Sequence, residues 1–216
     1  RRGWALPDPQ TLAAATKRAL GVGAGGDIVA LDVETTGLGA GTVPFVIGVL
    51  TGDAADGSWS FRQWTLRTMG GEAAMLEDCV AYLASRGAFT LLSYNGKSFD
   101  IPVLRGRARR VSLDAFALHG PHVDLLHPAR RLWDSGRGSC RLQSLERAHL
   151  GVARVGDIAG ADIPEVFWES LIAGDAGEAG HRLARVERHN ALDLWSLVRL
   201  CEEVVERLAS PSSLRE

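Results

Sequence analysis

The sequence predicts a mixed α/β fold: one β-sheet flanked by helices, with extra helices toward the C-terminal end. Three observations predict it: three strand-like runs joined by glycine-rich turns, a strand, helix, strand succession after them, and a long stretch of helical apolar periodicity near the end. The chain has 216 residues, 46% hydrophobic and 23% charged. That suits one elaborated domain with an ordinary apolar core and excludes a disordered, collagenous or coiled-coil chain. No apolar run approaches the roughly 18 residues a membrane helix needs. The formal net charge is −2, from 24 Lys and Arg against 26 Asp and Glu. This excludes a protein that coats duplex DNA through a diffuse basic surface, though not other contacts with nucleic acid.

In chain order, residues 1–26 form an N-terminal helical arm. Its helix spans residues 8–20, with Asp8 as N-cap and Pro9 in the first turn, and the glycine-rich stretch 21–26 follows as a hinge. The main domain covers residues 27–208. Strands are expected at 28–33, 43–50 and 58–66, with turns at 37–41 and 52–57, as in an antiparallel meander. Ala73, Met75, Leu76, Val80 and Leu83 mark a helix over 72–86, which leads into a strand at 89–94 and so implies a crossover. Short helices are expected at 101–110, 128–133, 142–150 and 164–173, with one further strand at 122–126. Over 178–208, Leu183, Val186, Leu192, Leu194, Leu197, Leu200 and Val204 repeat at amphipathic helical spacing. Residues 209–216 read as a tail.

Cys79, Cys140 and Cys201 are too few and too scattered for a disulfide framework or a zinc motif, and read as the reduced thiols of a cytoplasmic protein. The chain opens on Arg1 rather than Met, the start expected of a processed or excised segment.

The chemistry lies in the carboxylates. Asp32 and Glu34 stand two apart at the end of the first strand, so alternation aims both at one face. Alone, such a pair fits a polar strand end as well as a site. Asp100 follows the fourth strand where a helix begins, a place the helix dipole favours for any Asp. Asp193 lies four residues after His189, so the two share a face of the long helix among strongly apolar neighbours. Together the four carboxylates are the hard oxygen donors that Mg²⁺ or Mn²⁺ prefers, and with an adjacent His they suit two-metal phosphodiester hydrolysis.

Three motifs in order, D-V-E-T-T-G-L at 32–38, Y-N-G-K-S-F-D at 94–100 and H-N-A-L-D at 189–193, resemble those of the DEDD superfamily of 3′-5′ exonucleases, which have a ribonuclease H-like fold. The stretches H-V-D-L-L-H-P-A-R-R-L-W at 122–133 and S-C-R-L-Q-S-L-E at 139–146 are similar to the YprB-like branch of predicted exonucleases. The resemblance runs from about residue 27 to residue 205. It implies that Asp32 would bridge two divalent ions, that Glu34 and Asp193 would complete the site of the ion that activates water, and that Asp100 would hold the second ion. His189 would be the general base. Backbone around Thr35 and Thr36 would meet the terminal nucleotide, Leu38 would wedge against its base, and Asn95 and Phe99 would touch sugar and base.

One departure stands out: three residues separate His189 from Asp193, where His-type members usually have four and Tyr-type members three. Asp124 reads as structural, because the four-carboxylate set is complete without it. With 22 Arg and two Lys, arginine is the chain's general cation, so Arg105, Arg107, Arg109, Arg110, Arg130 and Arg131 read mostly as solvated surface. The expected function is removal of nucleoside 5′-monophosphates from single-stranded 3′ ends of DNA or RNA. The alternatives are an endonuclease on structured nucleic acid with the same metal site, or a non-catalytic binding module of the same fold.

Overall fold

A computed structural model of the chain describes residues 5–23, 26–39, 41–133, 139–174 and 177–210. Five strands, β1 (Asp27–Thr35), β2 (Pro44–Gly52), β3 (Trp59–Thr65), β4 (Phe89–Ser93) and β5 (His122–Asp124), form one sheet in the order β3-β2-β1-β4-β5. The first three are an antiparallel meander, whereas β4 and β5 run parallel to β1. The β2–β3 hairpin closes on Asp53, whose N–H donates to the Ser58 carbonyl at 2.9 Å and whose Oδ1 accepts the Ala55 N–H at 2.8 Å. Gly57 supplies the positive φ of 74° that this turn needs. Parallel neighbours need crossovers: α2 (Glu72–Ser85) carries the chain from β3 to β4, and α3 (Asp100–Arg110) from β4 to β5.

Strand alternation divides the interior in two. Val29, Leu31 and Val33 of β1 enter one core with residues of α2, α3 and α6 (Ile163–Ala173). Ile28 and Ala30 enter the other, with α1 (Pro9–Leu20) and most of α7 (Gly177–Ala209). The 33 residues of α7 extend about 50 Å, and this helix joins both cores. Leu183 and Val186 belong to the first, while Leu194, Leu197, Leu200 and Val204 belong to the second. Between these apolar stretches come His189, Asn190 and Asp193, so polar groups face inward where α7 passes the sheet.

The expected architecture of a mixed sheet flanked by helices, with extra C-terminal helices, is therefore present. Asp8 caps α1 through a 2.8 Å bond from the Thr11 N–H. The helix docks through buried Leu12, a 3.4 Å contact between Thr16 Oγ1 and Cys201 Sγ, and a 2.7 Å bond from Trp59 Nε1 to the Pro7 carbonyl. Residues 1–4 and 24–25 of the expected arm and 211–216 of the expected tail lie outside the described residues.

Some boundaries differ. The strand expected at 122–126 ends at Asp124, because α4 (Leu126–Trp133) begins at once. The helix expected over 142–150 is α5 (Leu142–Leu145) followed by a π-helical turn, Glu146–Leu150, which stops at left-handed Gly151. Short 3₁₀ turns at Met69–Gly71 and Phe116–His119, too brief to carry a periodicity, were not foreseen. Among the described residues, no helix is long and apolar enough to cross a membrane.

Candidate active site

Asp32 and Glu34 project from the same face of β1, toward α7. The pairing of β1 with β2 slips between Glu34 and Thr35, a bulge that re-aims the strand at its carboxyl end. Asp32 lies opposite Gly48, where a Cβ atom would fall 2.0 Å from Asn190 Oδ1 and 2.7 Å from Leu194 Cδ1. Glycine thus lets α7 approach the sheet beside Asp32. Asn190 is completely buried there: its Nδ2 donates to Asp32 Oδ2 at 2.8 Å and to the Asp32 carbonyl at 3.1 Å, and its Oδ1 accepts from Gln63 Nε2 at 2.8 Å. Gly48→Ala should lever α7 away and lower stability by about 1–3 kcal/mol, the usual range for overpacking. Thermal unfolding measures this, and an unchanged melting temperature would contradict the close-approach role.

Asp100 is the first residue of α3 and is buried. Its charged form is favoured by nearby backbone amides, that of Val33 in β1 among them. The loop that delivers it, residues 94–99, is wrapped around another carboxylate. Asp124 accepts the N–H groups of Asn95 at 2.7 Å, Lys97 at 3.0 Å and Leu126 at 3.1 Å. With three backbone donors, Asp124 shapes the loop, a structural role of the kind expected of it.

The four carboxylates crowd one another. Burial, then the charges of Asp193, Glu34 and Asp100, push the Asp32 carboxyl well above the usual range. Burial and the charges of Asp193, Asp100 and Asp157 push Glu34 up to about 8, with Arg154 opposing. Burial raises Asp100 to about 7. Burial also raises Asp193, although Arg154 and His189 favour its charged form.

A loop unnoticed in the sequence completes the site. Arg154, with a side chain only 6% exposed, donates its Nε to Glu146 Oε2 at 2.8 Å and its Nη1 to Asp157 Oδ2 at 3.1 Å. Its Nη2 meets both Glu146 Oε1 and Asp193 Oδ1. Glu146, 1% exposed, is the first residue of the π-helical turn. His189, also buried, sets Nδ1 2.9 Å from Asp157 Oδ1 and Nε2 3.7 Å from Asp193 Oδ2. Burial disfavours a charge on Asp157, yet the bonds from His189 and Arg154 prevail and hold it below the usual carboxylate range.

Asp32, Glu34, Asp100, Asp193 and His189 thus share one site, and Glu34, His189 and Asp193 offer ligand atoms within 4.8 Å of one another. A set of hard oxygens that resist ionising together, with one imidazole at its edge, fits a divalent cation. The residues expected to meet substrate lie at the end of β1, on the loop that follows it and on the loop that precedes α3. Leu38 is 87% exposed beyond the end of β1, on a loop braced by bonds from Thr35 Oγ1 and Thr42 Oγ1 to the Gly37 carbonyl at 2.7 and 2.8 Å. The Thr36 N–H is committed to the Val43 carbonyl, and its Oγ1 accepts the Val43 N–H. Asn95 is exposed in a left-handed conformation, φ 64°, and Phe99 is half-buried immediately before Asp100. Of the arginines expected at the surface, Arg107 is instead paired with Glu72, both largely buried.

Arg154, Asp157, Glu146 and Asn190 are the site residues that the sequence did not single out. A buried-network arginine has no local signature, although Asn190 lies inside the H-N-A-L-D motif itself.

A family model described as the RNase_H superfamily matches residues 29–205. The uncharacterized protein YprB of Bacillus subtilis (strain 168) is 31% identical over 185 residues, covering 84% of this chain and 42% of that protein. The chain therefore spans less than half the length of that relative. Among solved structures, the family B DNA polymerase of the hyperthermophilic archaeon Pyrobaculum calidifontis superposes with a TM-score of 0.62 at 16% identity, over 88% of this chain and 26% of the polymerase. Exonuclease I is a more distant likeness, with a TM-score of 0.49 at 19% identity, over 68% of this chain and 40% of that one. The family match covers most of the chain and every carboxylate of the site, and on that ground the chain belongs to the RNase_H superfamily.

Proposed function

We propose that the protein is a metal-dependent 3′-5′ exonuclease that shortens single-stranded nucleic acid and releases nucleoside 5′-monophosphates. The observation that carries this reading is the convergence of Asp32, Glu34, Asp100 and Asp193, drawn from three distant motifs, on one point beside His189. The four carboxylates would hold two Mg²⁺ or Mn²⁺ ions. When bound, these ions polarise phosphoryl oxygens and make water a stronger acid.

The chain's own groups do the rest. Asp32, fixed by Asn190, and Asp100, buried at the start of α3, are pre-positioned, so little reorganisation remains at the moment of reaction. His189 Nε2 takes the proton of the attacking water as the new P–O bond forms and the bond to the 3′-oxygen breaks. The departing oxygen takes a proton from solvent, leaving a 3′-hydroxyl on a strand one nucleotide shorter. Leu38, exposed on its braced loop, would wedge against the last base, and Phe99 and Asn95, on the loop that leads into α3, would touch base and sugar. Apolar and aromatic contact tolerates any base, as an exonuclease requires.

A matched pair of linear and circular single strands tests the reading. Linear strands should yield nucleoside 5′-monophosphates one at a time, whereas the circle should remain intact. Linearisation of the circle would make the protein an endonuclease instead.

A further inference from the structure

The loop joining the π-helical turn to α6 brings two charged side chains to His189 and Asp193. Asp157 is the pivot. Three donors converge on its two oxygens: Ile158 N–H at 2.9 Å and His189 Nδ1 at 2.9 Å on Oδ1, and Arg154 Nη1 at 3.1 Å on Oδ2. A carboxylate accepts only, so the Nδ1 of His189 carries the imidazole proton and donates it to Asp157. In the neutral ring Nε2 is then the nitrogen with the lone pair, on the side of Asp193 and Glu34. A neutral imidazole that accepts a proton must do so through its bare nitrogen, and which nitrogen is bare depends on the partner of the other.

We propose that Asp157 is a positioning residue that fixes the tautomer and orientation of His189, and that Arg154 fixes Asp157 in turn. The assignment rests on the reading of His189 as general base. It also accounts for the three-residue spacing between His189 and Asp193. With the histidine one turn before the aspartate on α7, the ring is held from outside the helix by the 154–157 loop. Arg154 reaches the other end of the same pair through Asp193 Oδ1 and is itself held by Glu146. One loop therefore sets the positions of His189 and Asp193.

The test compares Asp157→Asn with Asp157→Ala. In Asp157→Asn one acceptor remains, the charge of Arg154 claims it, and the amide hydrogens meet Nδ1, which forces the imidazole proton onto Nε2. Asp157→Ala removes the preference without inverting it. The asparagine variant should therefore be the slower enzyme, with kcat down about a thousandfold or more, the size of effect that an inverted tautomer produces, and KM little changed. A merely structural aspartate predicts the reverse order, because alanine takes away the acceptor of Arg154 Nη1 and of the Ile158 N–H. In a His189→Ala background, Asp157→Asn should cost no more than about twofold, since the two residues act as a unit.

The ¹⁵N spectrum of the His189 ring gives a readout that needs no turnover. Wild type should show a protonated Nδ1 and a bare Nε2, and Asp157→Asn should show the opposite. A wild-type ring protonated at Nε2, or full additivity of Asp157→Asn with His189→Ala, would overturn the assignment. Because the spectrum is independent of cleavage, it decides the role of Asp157 even for a protein that cuts none of the substrates offered.

Discussion

Asp32→Asn is expected to reduce cleavage by about a thousandfold or more and, at the same time, to make the metal-free protein more stable at pH 8. The first effect follows from position: Asp32 lies among Glu34, Asp100 and Asp193, and losing its charge removes several kcal/mol of transition-state stabilisation. The second follows from crowding. Glu34 is raised to about 8 and Asp100 to about 7, and Asp32 well above its ordinary value, chiefly by burial. Folded-state values above the unfolded ones mean that the folded cluster keeps protons which the unfolded chain releases, from about pH 4 upward. The cluster's contribution to stability is therefore full below that range and is lost as pH rises through about 7 to 8. Metal-free wild type should show a lower urea midpoint at pH 8 than at pH 5, and a divalent ion should restore it. Asp32→Asn removes one of the opposing charges and should raise the pH 8 midpoint by at least about 1 kcal/mol equivalent. Equal midpoints for the two proteins at pH 8 in EDTA would contradict the crowding account.

Arg154→Ala is expected to be the most destabilising single change in the site. Its guanidinium serves Glu146, Asp157 and Asp193, and the Glu146 carboxylate is 1% exposed. Removing the cation strands a buried anion, which typically costs about 3–5 kcal/mol. Arg154→Lys should recover only part of this, because an ammonium cannot reproduce the planar fork that serves Glu146 through two nitrogens. Arg154→Met combined with Glu146→Leu should be more stable than Arg154→Ala alone, because the most buried of the three carboxylates no longer stands unpaired. Equilibrium unfolding in urea measures all three. If Arg154→Ala and the double variant unfold at the same midpoint as wild type, the network has no structural weight.

How much of this was legible in the sequence divides along physical lines. Local signals held well: Asp8 and Pro9 begin α1 as their chemistry dictates, and the period of Leu183 to Val204 marks α7 to within a residue or two at each end. The alternation of Asp32 and Glu34 correctly aims both at one face, since a strand admits no other arrangement. What escaped was set by tertiary contact. Arg154 meets Asp193 across 39 residues of sequence, and Asp157 meets His189 across 32. Their loop has neither periodicity nor motif, so nothing local distinguishes Arg154 from the other arginines of an arginine-rich chain. Nor does amphipathic spacing reveal that α7 serves two cores in succession and turns polar between them. The break at Glu146, where one expected helix becomes a short α-helix and a π-helical turn, likewise has no periodic signal in the sequence.

The central claim is that the convergent carboxylates form a hydrolytic metal site. The most direct test is a time course with 5′-labelled single-stranded DNA and RNA in Mn²⁺, for wild type beside Asp32→Ala. The account predicts a descending ladder from wild type on at least one of the two substrates and an unchanged full-length band from Asp32→Ala. A ladder of equal strength from both proteins, or none from a wild type shown to bind Mn²⁺, would contradict it.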